Sequence, residues 1–507
     1  MELLDVCLCC FKSIQPTVPR NNSSIEHCCK DCKKEQTKLR ADIKNKSLKI
    51  IEQNPRINRL FDSVYYSEDE AINYVIEPKS KAYKGSIELR KYMFSLLEEI
   101  HKFSYEACFE CIMYADLFNK DAKEFFSERF FQRNAVSKVI GSWEKIIRFH
   151  ALYFGVEFME NKKKNSLANL SKKLNKTEFI KTDTYRLLYS LKSKGLFKSI
   201  DETRKIFDHR LSYEAGGRIS DFTEIMVMIT EHCENLYKCL ENCLELYQKK
   251  IPLVSEKYIN DFQFKIPETN EKLYKKKALR IKKGANLADL ELFQTKSINY
   301  VHKFQYRLKE AQSWKHKYSA PPIELLYYRL FEVSVRMHES ARSLAQMVDM
   351  YTVGGKKYTD PDEYFLYFQG MNYRYFLLSS LLRIYSAYDK ISFVIQDLFE
   401  VKPKRKTFEG TVEYIRLREA FLTGLPPMKI CNRILSHTAF KKIYKSRQDH
   451  FHLLTPQYFV STNYKEVMDF EVCQAIIENS KLVYELIESV DQSLLNIHYL
   501  ALAKNKR

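Results

Sequence analysis

The sequence predicts an all-α protein in which two tandem helical bundles follow a small cysteine-rich element. Only 12 glycines and 13 prolines occur among 507 residues, and such scarcity of turn-forming residues is typical of long helices. Apolar residues recur at the i, i+3, i+4 and i+7 spacing of a buried helix face. Two stretches of the chain also resemble one another, and a chain of this length is too long for a single core.

The first element, residues 1–40, is defined by its cysteines. Cys7 and Cys10 form one C-x2-C pair and Cys29 and Cys32 form a second, with 18 residues between the pairs. Four thiolates at this spacing are typical of a tetrahedral zinc site, and the zinc is expected to be structural because no coordination position stays open. A redox cluster or reactive thiols are the alternative. Further candidate ligands are Cys9, Cys28 and His27.

The first bundle is predicted over residues 85–250, after a linker at 41–84. Its helical rhythm begins at about residue 85 and continues in long helices over about 122–158 and 219–249. Residues 162–181, between these helices, are rich in Lys, Asn and Ser and are predicted to form a solvated loop.

A basic connecting segment, residues 251–320, precedes the second bundle at 321–507. Its cations are predicted to contact nucleic acid, with a solvated helical face as the alternative. These cations are Lys275, Lys276, Lys277, Arg280, Lys282 and Lys283. The helices predicted in the second bundle cover about 323–350, 362–399, 465–502 and, in a shorter piece, 411–422.

Charge and hydropathy restrict the partners and the compartment. The net charge of +19 favours a polyanion such as RNA, with a compositional bias as the alternative. Residues 1–5 (MELLD) lack the basic start of a signal peptide. The most apolar stretch, 375–395, contains Arg383, Asp389 and Lys390 and is a poor membrane span. We therefore expect a cytoplasmic protein with reduced thiols and no membrane partner.

The internal repeat is visible in short matching blocks. Residues 143–146 (WEKI) match residues 388–391 (YDKI) at a separation of 245 positions, which Phe154 with Phe399 and Val156 with Val401 also keep. Upstream, His101 matches His338 at a separation of 237 positions. The two bundles are therefore predicted to be one fold used twice.

The repeat also contains the only two Arg-x4-His spacings in the chain. Arg204 and His209 match Arg447 and His452 at a separation of 243 positions. One such pair is expected by chance, but two in register indicate a shared site. No P-loop, G-x-G-x-x-G, H-E-x-x-H or nucleophile elbow occurs, so the sequence offers no other catalytic motif of these kinds.

Residues 381–391 (LLRIYSAYDKI) resemble the long helix of bacterial stand-alone families in the HEPN superfamily (higher eukaryotes and prokaryotes nucleotide-binding). Residues 141–146 (GSWEKI) carry the same signature in the first copy. The resemblance covers about 85–250 and 323–500 and leaves out the cysteine-rich element. It implies that each bundle is a HEPN-like domain.

The resemblance also implies RNA cleavage without a catalytic metal by Arg204 with His209 and Arg447 with His452. A histidine can take the proton of a ribose 2′-hydroxyl, and an arginine can neutralise the phosphate under attack, giving a 2′,3′-cyclic phosphate. Many active members carry a polar residue directly after the arginine, where this chain has Lys205 and Gln448.

Five positions along a helix correspond to a rotation of about 500°, so the two residues of one motif lie about 140° apart around its axis. HEPN proteins are understood to pair two domains around a shared groove, which here implies a pseudo-dimer within one chain. Further oligomerisation, a regulatory protein partner and a role in phage defence or stress response are implied by the resemblance alone. The alternatives are a non-catalytic RNA- or nucleotide-binding protein and a helical interaction protein.

Other residues have competing interpretations. Arg433 and His437 are four positions apart and would share a helix face, and His450 could replace His452. His101 and His338 are expected to be packed core residues. The pairs Glu144 with Lys145 and Asp389 with Lys390 are expected to be charge partners on a helix face. Cys108 and Cys111 are expected in the core.

Overall fold

The computed structural model describes eleven stretches of the chain, and every structural statement below concerns them. They are residues 30–61, 87–117, 128–156, 167–209, 219–248, 272–273, 275–277, 287–314, 323–352, 373–448 and 462–504. All regular secondary structure in these stretches is helical, which confirms the predicted all-α class. None of the helices described is both long and apolar enough to cross a membrane.

The chain divides into two compact units. The first comprises Met1–Arg204, Gly216–Glu268 and Asp449–Val460, and the second comprises Lys205–Ala215, Thr269–Gln448 and Ser461–Arg507.

The helices of the first unit are, in order, α1 (Lys30–Glu52), α2 (Pro55–Phe61), α3 (Ile87–Leu117), α4 (Glu128–Tyr153), α5 (Leu167–Leu174), a 3-10 turn (Glu178–Lys181), α6 (Asp183–Ser193), α7 (Leu196–His209) and α8 (Ile219–Gln248). Residues 196–204 of α7 belong to the first unit, and its last residues, 205–209, are assigned to the second. The α3–α4 pair forms the centre, with α8 packed against both helices and α1 packed against α3 and α8.

The helices of the second unit are α9 (Leu287–Trp314), α10 (Ile323–Thr352), α11 (Tyr373–Leu398), α12 (Phe408–Arg418), a 3-10 turn (Ala420–Gly424), α13 (Pro426–Ser436), α14 (Thr438–Arg447) and α15 (Thr462–Lys504). Here the α10–α11 pair forms the centre, α9 packs against α10, and α15 packs against α11, α13 and α14. Apart from α2, which has no counterpart among the described residues of the second unit, the order of long and short helices matches that of the first unit.

Helix boundaries repeat as closely as the order does. Helix α11 begins and ends 245 positions after α4, and α13 begins and ends 243 positions after α6. Helix α15 also begins 243 positions after α8. These separations are those of the matching sequence blocks.

Both central helices end in the same left-handed turn. Gly155 after α4 has φ 66° and Glu400 after α11 has φ 54°. The N–H of Val156 donates to the carbonyl of Ala151 at 2.8 Å, and the N–H of Val401 donates to the carbonyl of Gln396 at 2.9 Å. This arrangement satisfies carbonyl groups at the helix end.

Three segments are more helical than the sequence predicts. Residues 41–52, expected in a linker, complete α1 and bury Ile43 and Ile50. Residues 287–314, expected in the basic connecting segment, form α9. The solvated loop expected at 162–181 is wrong in part, because its later residues form α5 and a 3-10 turn. Three apolar residues are buried there, namely Leu170, Leu174 and Phe179.

Candidate functional site

Helix α7, which carries Arg204, is held in place by aromatic contacts. The ring of Phe197 lies 5.2 Å from Trp143 of α4, and the two rings meet edge to face. The indole N–H of Trp143 donates to Nδ1 of His232 on α8 at 3.1 Å. Helix α7 is thereby positioned against both long helices.

Helix α14, which carries Arg447, is held by the equivalent contacts. The ring of Phe440 lies 4.9 Å from Tyr388 of α11, again edge to face. The hydroxyl of Tyr388 donates to Oδ1 of Asn479 on α15 at 2.7 Å. Tyr388 and Phe440 stand 245 and 243 positions after Trp143 and Phe197. We call α7 and α14 the arginine helices, since each has its arginine seven positions after the docking phenylalanine.

In the first unit, Arg204 has an acidic neighbour. Its Nη2 lies 3.0 Å from Oδ1 of Asp201, one turn earlier on α7. Helix α7 is continuous from Arg204 to His209, which is its last residue. Positions 204 and 209 therefore lie about 140° apart around one helix axis.

In the second unit, Arg447 has an aromatic neighbour instead. Its guanidinium carbon lies 4.2 Å from the ring centroid of Tyr385 on α11. The hydroxyl of Tyr385 donates to Oε1 of Glu409 on α12 at 2.8 Å. Burial, with the charges of Asp389 and Glu409, raises the pKa of Tyr385 well above its usual value, so this hydroxyl keeps its proton.

Helix α14 ends at Arg447, with Gln448 as its C-cap. His452 and the alternative His450 lie outside the described residues. The expected angle of about 140° between the two motif positions therefore applies to the first copy, in which α7 continues to His209.

The alternative pair of Arg433 and His437 does not share a helix face. Arg433 forms an ion pair with Glu485. Helix α13 ends at Ser436, and His437 caps the start of α14, its Nδ1 accepting from the N–H of Ala439 at 3.2 Å. The expectation for this pair is wrong because the chain turns between the two residues.

His101 is packed into the core, and burial lowers its pKa to about 3. Its Nε2 lies 2.9 Å from Oδ1 of Asn58. His338 is half-buried, its Nδ1 lies 3.0 Å from Oγ of Ser297, and burial lowers its pKa to about 4. The expected core packing is confirmed for His101, whereas His338 is only half-buried.

Buried ion pairs join the two central helices of each unit. Lys145 of α4 lies 3.1 Å from Glu99 of α3, and Lys390 of α11 lies 3.1 Å from Glu332 of α10. A second pair repeats seven residues away on each helix, Lys138 with Glu106 in the first unit and Arg383 with Glu339, at 3.0 Å, in the second.

These interhelix ion pairs correct two expectations. Lys145 and Lys390 pair across to another helix, because adjacent residues such as Glu144 and Asp389 do not face them. The pairs also show that α3 and α10 correspond at a separation of 233 positions. The match of His101 with His338 is therefore one helical turn out of register.

Among the predicted zinc ligands, Cys32 alone lies in the described residues. It is half-buried in the first turn of α1, while Cys7, Cys10 and Cys29 lie outside. In the stretches described, no group of three or more His, Cys, Asp or Glu side chains could hold a metal ion. Cys108 and Cys111 are buried in α3, as expected.

The basic residues of the connecting segment are described in part. Lys275, Lys276 and Lys277 are helical and exposed. Arg280, Lys282 and Lys283 lie outside the described residues.

Sequence reasoning missed Tyr385, Glu409 and Asp201, which decide the surroundings of the two arginines. The signal was present within the repeat. Tyr385 stands where the first copy has Ile140, and Asp201 stands where the second copy has Tyr444.

Comparison of the chain with models of known protein families, with characterised proteins and with solved structures found no match.

Proposed function

We propose that the protein is a metal-independent endoribonuclease of the HEPN type, in which Arg204 with His209 and Arg447 with His452 act on RNA. The observation that carries the proposal is the equivalent docking of the two arginine helices through Phe197 on Trp143 and Phe440 on Tyr388. A framework that holds two arginines at equivalent positions supports a shared role for them. The net charge of +19 suits a polyanionic substrate.

In the proposed reaction, a histidine takes the proton of a ribose 2′-hydroxyl as its oxygen attacks the adjacent phosphorus. The bond from phosphorus to the 5′-oxygen breaks, and that oxygen leaves with a proton from a general acid. The products are a 2′,3′-cyclic phosphate and a 5′-hydroxyl. Arginine neutralises the charge that builds up on the phosphate, so its effect is larger in the transition state than in the bound substrate.

The two units would act as a pseudo-dimer within one chain, so that both motifs serve one reaction. This part of the proposal rests on the duplicated motif and on the separation of positions 204 and 209 around α7. The resemblance alone suggests a role in phage defence or stress response, in the cytoplasm, under a regulatory partner.

The test is cleavage of labelled RNA by the purified protein in EDTA. His209→Ala and His452→Ala should each reduce the rate by about 10²-fold or more, the usual loss of a general acid or base. The double variant should be little slower than either single variant, because residues that act as a unit are not additive. His437→Asn is the matched control, since asparagine can also cap α14.

Two independent sites would give a different pattern, with each single variant keeping about half of the activity. Parental rates in all three variants would exclude the nuclease proposal. The second candidate is RNA binding without cleavage, which the ion pair of Arg204 with Asp201 favours because it competes for the guanidinium. A salt-dependent mobility shift with intact RNA would support it.

We also propose that Cys7, Cys10, Cys29 and Cys32 hold one structural zinc ion. The half-buried thiol of Cys32 at the start of α1 suits this role, since a metal there would tie the cysteine-rich element to the first unit. Purified protein should contain about one zinc per chain, and the Cys29→Ser, Cys32→Ser double variant should lose it. Metal-free protein with the same melting curve as the variant would contradict the proposal. EDTA in the cleavage assay must leave the zinc content unchanged.

A further inference from the structure

We infer that the exposed side of α14 and the adjoining residues 402–406 form a binding surface for single-stranded RNA, which the first unit lacks. This inference rests on the proposed function, because RNA is the ligand in both. It adds that the second unit carries the binding surface and that the RNA bound there is single-stranded.

The exposed side of α14 combines cations with an aromatic ring. Lys441 and Lys445 are exposed, and Arg447 is half-buried. None of these three cations has an ion pair with a described residue. Tyr444 is 40% exposed, and its ring lies 6.2 Å from Tyr385. We call Lys441, Tyr444, Lys445 and Arg447 the α14 face.

A second group of cations lies beside the same tyrosine. Residues 402–406 hold four exposed cations, and none has an ion pair with a described residue: Lys402, Lys404, Arg405 and Lys406. Their segment lies against the first turn of α12, because a Cβ at Gly410 would come within 2.5 Å of the carbonyl oxygen of Arg405. Gly410 follows Glu409, which binds Tyr385, so both groups of cations lie near the Tyr385 ring.

Neighbouring cations of the same unit are neutralised. Lys442 lies 2.7 Å from Glu471, and Arg433 pairs with Glu485. Both carboxylates belong to α15. The α14 face and residues 402–406 thus carry positive charge without a carboxylate partner among the described residues.

The equivalent surface of the first unit has a different charge. Asp201 and Glu202 stand where the second unit has Tyr444 and Lys445. Arg204 pairs with Asp201, Arg186 pairs with Asp183 at 2.9 Å, and Lys194 pairs with Glu231 at 3.0 Å. Carboxylates that already bind these cations compete with phosphate, so phosphate contacts on this surface contribute less to the binding of an RNA strand.

The chemistry of the α14 face fits a single strand. A guanidinium held over the ring of Tyr385 can still offer N–H groups to phosphate oxygens. The exposed ring of Tyr444 can stack on a base, which requires that the base is unpaired. An acidic protein partner would use the lysines but would gain nothing specific from Tyr444.

The experiment measures binding by the full chain carrying His209→Ala and His452→Ala, so that the RNA stays intact. The probes are a labelled single-stranded RNA and a blunt duplex of the same sequence, each titrated at several salt concentrations. Tyr444→Ala should weaken binding of the single strand about tenfold, the usual loss of one stacked base, and should leave duplex binding nearly unchanged.

A charge-matched pair of triple variants tests the location. Replacing Lys402, Lys404 and Lys406 with Gln should reduce the slope of log K against log salt by about 2, because each neutralised phosphate contributes about 0.7 for single strands. The control replaces three exposed lysines of the first unit with Gln and should leave the slope unchanged. These lysines are Lys176, Lys192 and Lys198. Unchanged tryptophan fluorescence in both triple variants shows that the fold is intact.

A gain-of-function variant completes the set. Asp201→Tyr with Glu202→Lys gives α7 the residues of the α14 face and should strengthen binding of the single strand several-fold. Loss of binding in the second-unit variants without any RNA cleavage by the parental chain would support the surface and refute the nuclease. Binding that no second-unit variant weakens, or equal losses in the control triple, would overturn the inference while RNA binding stood. Absence of any RNA binding would overturn both.

Discussion

The two units share a framework and differ in what surrounds their arginines. Both have buried ion pairs between their central helices, the same left-handed helix end and the same phenylalanine docking. Between the two ion pairs, however, the first unit has Phe103, whose ring lies 4.9 Å from Lys138 Nζ and 4.7 Å from Lys145 Nζ. The second unit has the buried Arg336 at the equivalent position.

This difference shows that a single residue between the central helices can change from aromatic to charged while the ion pairs keep the two helices in the same alignment. Arg336 lies 3.4 Å from Glu339, so its charge joins the ion pair that Glu339 makes with Arg383. Between its two ion pairs, the second unit therefore has a further charge where the first unit has an aromatic ring. The predictions below use this contrast, and each unit can be followed separately because each has one of the two tryptophans, Trp143 and Trp314.

The largest effect is expected from breaking one ion pair in each unit. Lys145→Met should cost about 3–5 kcal/mol, because it leaves the buried carboxylate of Glu99 without its lysine. Lys390→Met should cost less, since Glu332 still attracts Arg329. Urea unfolding reports the first unit in a Trp314→Phe background and the second in a Trp143→Phe background.

The control replaces both partners in the first unit, Glu99→Leu with Lys145→Met. Removing both charges should restore most of the stability, because neither member of the pair is left buried without the other. A double variant as unstable as Lys145→Met would show that packing, and not charge, sets the cost.

The second prediction concerns acid. Burial lowers the pKa of His150 and His232 to about 4 and that of His101 to about 3, and all three belong to the first unit. Their folded-state pKa lies below the unfolded value of about 6.5, so the unfolded chain binds protons first as the pH falls. Stability is therefore fully present above pH 6.5 and decreases from there toward pH 4.

At pH 5.5 each of these histidines should cost the first unit about 1.4 kcal/mol. The second unit should lose less, because the contribution of His338, whose pKa burial lowers to about 4, is set against those of three histidines in the first unit. Unfolding of the two single-tryptophan variants at pH 7.5 and 5.5 measures the difference. Equal losses in the two units would show that the buried histidines do not determine acid sensitivity.

The smallest effect is expected at the two helix ends. Glu400 adopts a left-handed conformation that glycine adopts without strain, so Glu400→Gly should stabilise the second unit by about 0.5–1 kcal/mol. Gly155→Ala should destabilise the first unit by a similar amount. Thermal melting of each variant gives the sign, and a loss of stability in Glu400→Gly would mean that the glutamate side chain has a compensating contact.

The helical class and the equivalence of α4 with α11 could be predicted from sequence, because long apolar periodicities and the WEKI and YDKI blocks are local features. Helix α1 could not. Its buried stripe contains the polar residues Gln36, Arg40 and Ser47 as well as Ile43 and Ile50, so polar residues interrupt the apolar pattern. Arg40 is accommodated by stacking on Tyr114 at 4.3 Å, a partner 74 positions away.

The candidate site was predictable only as far as spacing carries information. The Arg-x4-His spacing identified Arg204 and Arg447, but their neighbours depend on which helices meet. Tyr385 contacts Arg447 from another helix, which spacing along the chain does not indicate. Asp201 could have been found only by comparing the turn before Arg204 in α7 with the equivalent turn of α14. The match of His101 with His338 failed because similar apolar surroundings recur every turn of a helix, whereas the ion pairs fix one register.

The matched ends of α4 and α11 have a consequence for exchange between the units. Equivalent residues are 245 positions apart from the start of these helices to the left-handed turn. Their separation is 243 positions, two fewer, in the arginine helices. The stretch from the start of the central helix to the arginine is thus a module of nearly constant size. A chimera in which the second module replaces the first would place two copies of the α14 chemistry in one chain. Such a protein would separate what the arginine surface contributes from what its supporting helices contribute.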